Sequence, residues 1–577
     1  MRRSASEFMK RKSNKLCCKK FDSMVWATSF AISMATLLSM SDRIIGGLML
    51  GEDAISAINL VCPAYMFGTF VAGMFSIGAA FIFSRAIGSF DKEKADDVFG
   101  VSVTYSVIAG ILLGIMMLLF RRQYFDFLGV SEEIEELSLK YYYWIVVVNA
   151  LYPIRMVLSE FVTSEGDEAL TSLSYFAQLI GNFLLSIVLC KYMGIAGIAI
   201  GTLAGTLIAI GINSCHFFKK GNNLRYKFCM DGKLLLSVWK GSMADSILYL
   251  LMAITDYFLN YLVIERYGEF YLPVLSVATV MVHLTIVFDG IGTGFAPLIN
   301  VYQGEKNYKV CKDLMNHVIR VAIIEGVVCM ILFAVGAPLI VMLFGDMEEV
   351  LVSEAVVAVR IISLIMPAGS VLITVISLYN ICGHEFVTSL IECFEQTILV
   401  LIFTLIGSTL FGIRGIWVGY VVAFYAVIIG CIYILSKIWG KERFPWFLPD
   451  TDCYMETFDT VLSPENIIAL KDRMEAIMEE KEIGMKTSIR LQLIVEELGM
   501  SIYEKNKGRE ILSEWTISID NGVKLVIRYE GKQVDLTGDG DEDESVRSLV
   551  LANLLAQQEN KNFLMSTGFN RCAFIFE

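Results

Sequence analysis

Charge is scarce in this chain. Of its 577 residues 19% are charged and 55% are hydrophobic, against about a quarter charged in an ordinary soluble domain. Proline is rarer still, at 9 residues. With no low-complexity tract either, a disordered chain is excluded. The 4 histidines and 13 cysteines show no metal-ligand spacing, so no structural metal is expected. Most cysteines lie inside apolar runs, as reduced thiols or small packing groups, rather than in a disulfide framework. The net charge of −13 gives no ground for a nucleic-acid partner. What remains is an excess of apolar residues that must face something other than water.

That excess is organised. Apolar stretches recur near 24–49, 57–84, 97–120, 137–159, 168–191, 194–217, 237–264, 271–300, 318–344, 354–380, 388–411 and 414–437. Most exceed the roughly 20 residues needed to cross a bilayer. Residues 1–22 are polar and rich in Lys and Arg. The apolar stretch behind them is longer than a signal-peptide core, and no cleavage site is evident. They read as a basic cytoplasmic N-terminus. Lys and Arg gather in alternate loops, 84–94, 217–227, 303–312 and 436–444, whereas 130–136 and 345–354 are acidic. This positive-inside pattern puts both termini in the cytoplasm of a multi-pass plasma-membrane protein.

The chain also repeats itself. GEDAISAINL at Gly51 matches GEFYLPVLSV at Gly268, 217 residues later. GDEALTSL (166–173) matches GHEFVTSL (383–390), again at 217, and GIAGIAIG (194–201) matches GIRGIWVG (412–419) at 218. FLGVSEEI and LFGDMEEV align through Gly129 and Gly345 at 216. A repeat of about six helices makes parallel halves, whose substrate sites lie near the midplane between them. The expectation is an α-helical integral membrane protein. Its twelve transmembrane helices form two six-helix bundles, 23–228 and 229–440, followed by a small cytoplasmic α/β domain, 451–577.

Several segments resemble a known family. DRIIGGLMLGEDAISAINLVCPAYMF (42–67) is similar to the first-helix signature of multidrug and toxic compound extrusion (MATE) transporters. EGDEALTSL (165–173), YMGIAGIAIGT (192–202) and GIGTGFAPLINVYQGEKNYK (290–309) resemble further family motifs, so the likeness covers about residues 24–440. The resemblance implies a central cavity between two bundles. It implies export of cationic or amphipathic compounds in exchange for H⁺ or Na⁺, with no other cofactor and no enzymatic activity. The expected partners are membrane lipid and small organic substrates.

Asp42 lies in the first apolar stretch, and an acid there is a functional candidate by default. It matches the family's first-helix acid; the alternative is a helix-end residue paired with Arg43. The family's fifth-helix Asn-x-x-x-Asp appears here as Asn182 followed by Ser186, and Thr202 matches a sixth-helix threonine. Asp42, Asn182 and Thr202 are thus the implied cation site, short of one carboxylate for a strong Na⁺ site. Asp256, in the middle of the seventh stretch, falls near an acid of some family members. Pro63 and the glycine-rich bend at Gly290, Gly292, Gly294 and Pro297 are cavity or hinge candidates, and Asp289 caps or lines that bend. Glu392 and Glu395, one turn apart, read as exposed near the cytoplasmic end. His283 reads as a packing residue, and Tyr141–Trp144 as an interfacial belt.

Hydropathy falls after Trp446. Ser463 opens an amphipathic helix, TSIRLQLIVEELGMSIYEKN continues as a second, WTISID and VKLVIRYE alternate as strands around Asn521-Gly522, and SVRSLVLANLLAQQ and NRCAFIFE read as a helix and a last strand. The order resembles the ATP-binding domain of histidine kinases. Glu497 matches that family's glutamate, but Ser501 replaces its asparagine, and Tyr529-Glu530-Gly531 replaces Asp-x-Gly. The resemblance therefore implies a degenerate nucleotide site at Glu497, Ser501 and Gly531, and a regulatory role or a cytoplasmic protein partner. No GxxxxGK[ST] occurs, against direct ATP-driven transport. Alternatives are a lipid-linked saccharide flippase, for which no basic cavity is evident, and a membrane sensor, for which 451–577 lacks any histidine phosphoacceptor.

Overall fold

A computed structural model describes residues 16–88, 91–165, 167–219, 224–438, 453–520, 522–532, 534, 560–564 and 570–576. It contains two compact units. One comprises 27–292 and 319–445; the other gathers 1–26, 293–318 and 446–577.

The helices of the N-terminal half are α1 (Leu16–Leu50), α2 (Glu52–Gly73), α3 (Ile77–Gly88), α4 (Lys92–Leu119), α5 (Arg121–Leu128), α6 (Glu132–Ser164), α7 (Glu168–Met193) and α8 (Ile195–Ser214). Then follow α9 (Gly232–Tyr267), α10 (Leu272–His283), α11 (Asp289–Gly304), α12 (Tyr308–Met342), α13 (Glu349–Ile362), α14 (Met366–Ile381), α15 (Glu385–Cys393), α16 (Leu399–Phe411) and α17 (Ile413–Ile438). Eleven stretches among the described residues are long and apolar enough to cross a membrane, from Glu52–Phe83 to Ile413–Ile438. The 35-residue α1 precedes them. Local chemistry starts several helices. Asp91 accepts from the Lys94 amide at the head of α4, and Asp231 accepts from the amides of Lys233 and Leu234 at the head of α9, each meeting an otherwise orphaned donor.

The sequence repeat has a structural counterpart. Gly51 and Gly268 take φ of +90° and +82°, Gly129 and Gly345 +66° and +89°, and Gly194 and Gly412 +58° and +64°. Each pair supplies a left-handed turn between helices that a side chain would strain. Beyond the Gly194 turn, a Cβ on Gly197 would press on the Leu189 backbone and one on Gly201 on Ser186. Beyond the Gly412 turn, one on Gly415 would press on Gly407 and one on Gly419 on Phe403 and Thr404. The same glycine register therefore lets α8 seat against α7 and α17 against α16, as small residues do between membrane helices.

The two sets of helices touch at both ends. At one, a Gly47 Cβ would collide with the Phe344 carbonyl, and Ser131 Oγ donates to Glu269 Oε2 at 2.7 Å. At the other, the Gly78 amide donates to Ser242 Oγ at 2.9 Å, and a Gly73 Cβ would meet Ser246. Between these ends, Asn59 Nδ2 on α2 donates to Asn260 Oδ1 on α9 at 2.8 Å.

In the other unit, β1 (Tyr454–Val461), α18 (Pro464–Glu480), α19 (Met485–Lys505), β2 (Leu512–Ile519), β3 (Val523–Tyr529), β4 (Asn560–Leu564) and β5 (Asn570–Phe576) follow in order. Ser463 caps α18 by accepting from the Asn466 amide. The strands form an antiparallel sheet in the order β1-β2-β3-β5-β4. Alternation along the strands splits its residues between two faces. Trp515, Ile517, Leu525, Ile527, Tyr529, Cys572 and Phe574 share one apolar core with α18 and α19. The segment expected as a helix at 545–558 lies outside the described residues, as does Asn521 of the expected turn. Strands β1 and β4 were not anticipated.

Candidate functional site

Asp42 lies in α1 with 7% of its surface exposed. Four side chains donate to its carboxylate. Tyr141 Oη on α6 reaches Oδ2 at 2.6 Å, and Thr202 Oγ1 on α8 reaches the same oxygen at 2.7 Å. Asn182 Nδ2 on α7 and the neighbouring Ser41 Oγ each reach Oδ1 at a long 3.4 Å. The donors are themselves linked, because Asn182 Nδ2 also donates to Thr202 Oγ1 and Ser41 Oγ donates to Asn182 Oδ1. The structure thus brings together Asp42, Asn182 and Thr202, and adds Tyr141 and Ser41. The cluster offers one carboxylate, three hydroxyls and an amide carbonyl. That set suits a proton, or a hard monovalent cation if the hydroxyls turn their lone pairs inward.

The alternative pairing falls, one expectation needs revision, and Ser186 stays outside the cluster. Asp42 makes no ion pair with Arg43, whose buried Nη2 has no hydrogen-bond partner among the described residues. Tyr141 and Tyr142 do not belong to an interfacial belt. They are buried, while Tyr143 is 41% exposed, because a 3.6-residue period sends adjacent aromatics to opposite sides. The inward stripe of Tyr141, Tyr142, Ile145, Val148 and Asn149 was the available signal. Ser186 donates to the Ile198 carbonyl at 3.1 Å and fills the seam opposite Gly201; it lies in the α7–α8 contact.

Asp256, on α9, stands apart from this cluster. His283 Nε2 lies 3.3 Å from Asp256 Oδ2, and Cys62 Sγ on α2 lies 4.0 Å from the same oxygen. His283 is therefore partnered by an acid. Pro63 is buried inside α2, where it removes one helical hydrogen bond. The glycine-rich stretch is not a bend: α11 is helical throughout, and the irregular turn is the 3₁₀ segment Leu284–Phe288 before it. Gly290 instead permits close approach of α1, since a Cβ there would meet the Ser29 backbone, and Thr28 Oγ1 donates to the Gly290 carbonyl at 2.6 Å. Gly292 faces Ser377, Gly294 is buried, and the Pro297 side chain lies outside the described set. Glu392 and Glu395 are not exposed. Both are buried and line one cavity with Asp289 and His283.

In the second unit, Ser501 Oγ donates to the Glu497 carbonyl one turn earlier. Gly531 has φ +107°, and a Cβ there would strike Asn506, so its conformation serves the turn after β3. The other face of the sheet carries a feature the sequence hid. Glu514, Arg528 and Arg571 are cross-strand neighbours on β2, β3 and β5. Arg528 donates to Glu514 and to Glu305, Arg571 donates to Glu305 at 2.6 and 2.8 Å, and Tyr302 Oη donates to Glu514 Oε2 at 2.8 Å. Burial pushes the Glu514 carboxyl up, against the Arg528 guanidinium and the Tyr302 hydroxyl. Burial works against the charge of Arg528 too, but Glu514, Tyr302 and Glu305 hold its guanidinium above the ordinary range.

Comparison with known proteins agrees with this architecture. Residues 27–192 match the family model described as MatE. Multidrug export protein MepA of Staphylococcus aureus (strain MSSA476) is 24% identical over 399 residues, covering 67% of this chain and 87% of MepA. The MepA of Staphylococcus haemolyticus is 23% identical over the same length and shares. An inward-facing multidrug resistance MATE family transporter of the MOP superfamily superposes with a TM-score of 0.66 at 22% identity, covering 71% of this chain and 96% of that one. A MOP superfamily transporter from Pyrococcus furiosus, whose described feature is a binding pocket of reverse polarity, gives 0.62 at 21%, covering 73% and 96%. Residues 27–192 carry the MatE pattern, and the helical part of this chain shares the fold of these transporters.

Proposed function

We propose that this protein is a secondary antiporter that exports small cationic or amphipathic organic compounds in exchange for H⁺ or Na⁺. The observation that carries the reading is the buried Asp42 carboxylate, met by four side-chain donors within apolar helices. Such a group binds a cation when shielded and exchanges it when the cavity opens. On this reading α1 and the eleven further spans make twelve transmembrane helices, six in 23–228 and six in 229–440, with both termini cytoplasmic in the plasma membrane. The contacts at Gly47 and Gly78 are then the two gates, which part alternately as one half rocks on the other. Asp256, Pro63 and the glycines of α11 are assigned to the second half's cavity and its movement.

Residues 451–577 are, in the same reading, a histidine-kinase-type domain that has lost its nucleotide chemistry and regulates the transporter or binds a cytoplasmic protein. The replacement of the metal-ordering asparagine by Ser501 and the structural use of Gly531 support this.

The deciding experiment reconstitutes the purified full-length chain in liposomes and follows ethidium movement under imposed H⁺ and Na⁺ gradients. Wild type should respond to one gradient, and Asp42→Asn should respond to neither. Full gradient-driven transport by Asp42→Asn would sink the coupling role. For the tail, ATP titration of the full-length protein should show no saturable binding in the micromolar range.

A further inference from the structure

The two faces of the tail sheet are built differently. One packs apolar side chains on α18 and α19. The other carries a polar row, in which Asp459 on β1, Glu514 on β2, Arg528 on β3 and Arg571 on β5 are successive cross-strand neighbours. Thr457 and Thr516 stand beside that row, paired across β1 and β2.

Segments distant in sequence are bound along this polar face. The Leu16 amide, in the first turn of α1, donates to Asp459 Oδ1 at 2.9 Å. The hairpin between α11 and α12 supplies the rest. Tyr302 Oη donates to Glu514 Oε2 at 2.8 Å, Glu305 accepts from both Arg528 and Arg571, and Asn307 Nδ2 donates to Thr457 Oγ1 at 3.0 Å. The α1 and α12 helices also meet directly, with His317 Nε2 2.7 Å from Asp22 Oδ1.

The hairpin has its own stop signal. The Asn307 amide donates to the Tyr302 carbonyl and the Lys306 amide to the Gln303 carbonyl, with Lys306 at φ +59°. This helix stop usually carries glycine at the left-handed position, which a lysine occupies under strain. Glu305 and Asn307, on either side of Lys306, both bond the sheet. The sequence repeat aligns Gly304 with Gly88, so the counterpart of Glu305 in the first half is Ser89. The carboxylate therefore belongs to the second half alone, where the sheet brings two arginines to it.

The two bound segments lead into different halves. Helix α1 runs on to Asp42, which is bonded to α6, α7 and α8 of the first half. Helices α11 and α12 belong to the second half of the repeat. Contacts that never part are typically apolar, whereas contacts carried by charges and hydrogen bonds release and re-form.

We propose that the sheet is an autoinhibitory clamp. It ties the start of α1 to the α11–α12 hairpin, and the halves rock freely only after the bonds at Glu305 and its neighbours let go. Regulation by the tail and rocking of the halves rest on the reading above; the clamp names the contact through which the one restrains the other.

The test places Asn307→Cys and Thr457→Cys together in the full-length chain in liposomes, with the disulfide verified by peptide mass spectrometry. Oxidation should cut ethidium efflux at least tenfold, and reduction should restore it. Amide exchange over residues 77–88 and 232–246, which contain the Gly78–Ser242 contact between the halves, should slow on oxidation and recover on reduction. Arg571→Gln loosens the clamp and should speed both efflux and exchange at least twofold. A cross-linked protein that transports and exchanges like the reduced one overturns the proposal. Arg571→Gln matching wild type in both readouts also overturns it, and decides the matter if the double-cysteine chain fails to fold. Exchange needs no transport. If wild type ignores both ion gradients, the antiport reading fails while the clamp stands or falls on exchange alone.

Discussion

Asp42 and Glu395 are both buried carboxyl groups on apolar helices, yet their surroundings are opposite. Asp42 receives hydrogen bonds from Tyr141, Thr202, Asn182 and Ser41. Glu395 has an oxygen with no donor, and other acids for neighbours. Burial alone therefore says little about what an intramembrane acid does; the donors around it decide. Donors already arranged around Asp42 compensate its charge when a cation leaves, so the site tolerates emptying. Among the described residues no donor meets Glu395 Oε1, so a charge there is costlier.

The largest expected effect tests the comparison directly. Asp42→Asn should reduce gradient-driven ethidium efflux to the passive leak, whereas Glu395→Gln, outside the Asp42 cluster, should keep gradient-driven efflux. Equal and complete loss in both would erase the distinction. A third carboxylate, Glu305, provides a contrast in which both signs are present, because Arg528 and Arg571 both donate to it. Glu305→Gln takes a carboxylate from the buried Arg528 and the half-buried Arg571 and should cost about 3 kcal/mol, the low end for broken buried pairs, because Arg528 keeps Glu514. A thermal-unfolding shift in detergent would register it, and an unchanged midpoint would count against the network.

Smaller effects sharpen the Asp42 side. Tyr141→Phe removes a donor to a charged group, about 1.5–3 kcal/mol. The cation concentration for half-maximal efflux should shift roughly ten- to hundredfold, at about tenfold per 1.4 kcal/mol. Ser186→Ala removes only a neutral bond to the Ile198 carbonyl, about 0.5–1.5 kcal/mol. It should lower thermal stability slightly and leave cation dependence unchanged. A marked coupling defect in Ser186→Ala would return that position to the cation site.

Asp42 was legible because an acid stands out in an apolar run. Asn182 and Thr202 were legible only through the family pattern, since polar residues inside helices have many uses. Tyr141 was missed because four consecutive aromatics look like a belt until helical phase separates them. Glu392 and Glu395 looked like a solvent-facing pair, and the π-turn that changes their register leaves no clear mark in ECFEQTIL. The tail strands β2, β3 and β5 were visible as alternation. The row Glu514–Arg528–Arg571 was not, because it exists only across paired strands.

The Leu16 amide, in the first helix among the described residues, donates to Asp459 Oδ1, 443 residues away. At about 5–20 residues per second, a ribosome takes roughly 20–90 s to deliver that partner after the helix emerges. A shorter delay, roughly 10–50 s, applies to Glu305, whose two arginines lie 223 and 266 residues further on, in β3 and β5. During synthesis the inserted helices must therefore wait with these polar groups open to the aqueous side. A chain whose translation stops before β5 lacks Arg571, and Glu305 is left with Arg528 alone.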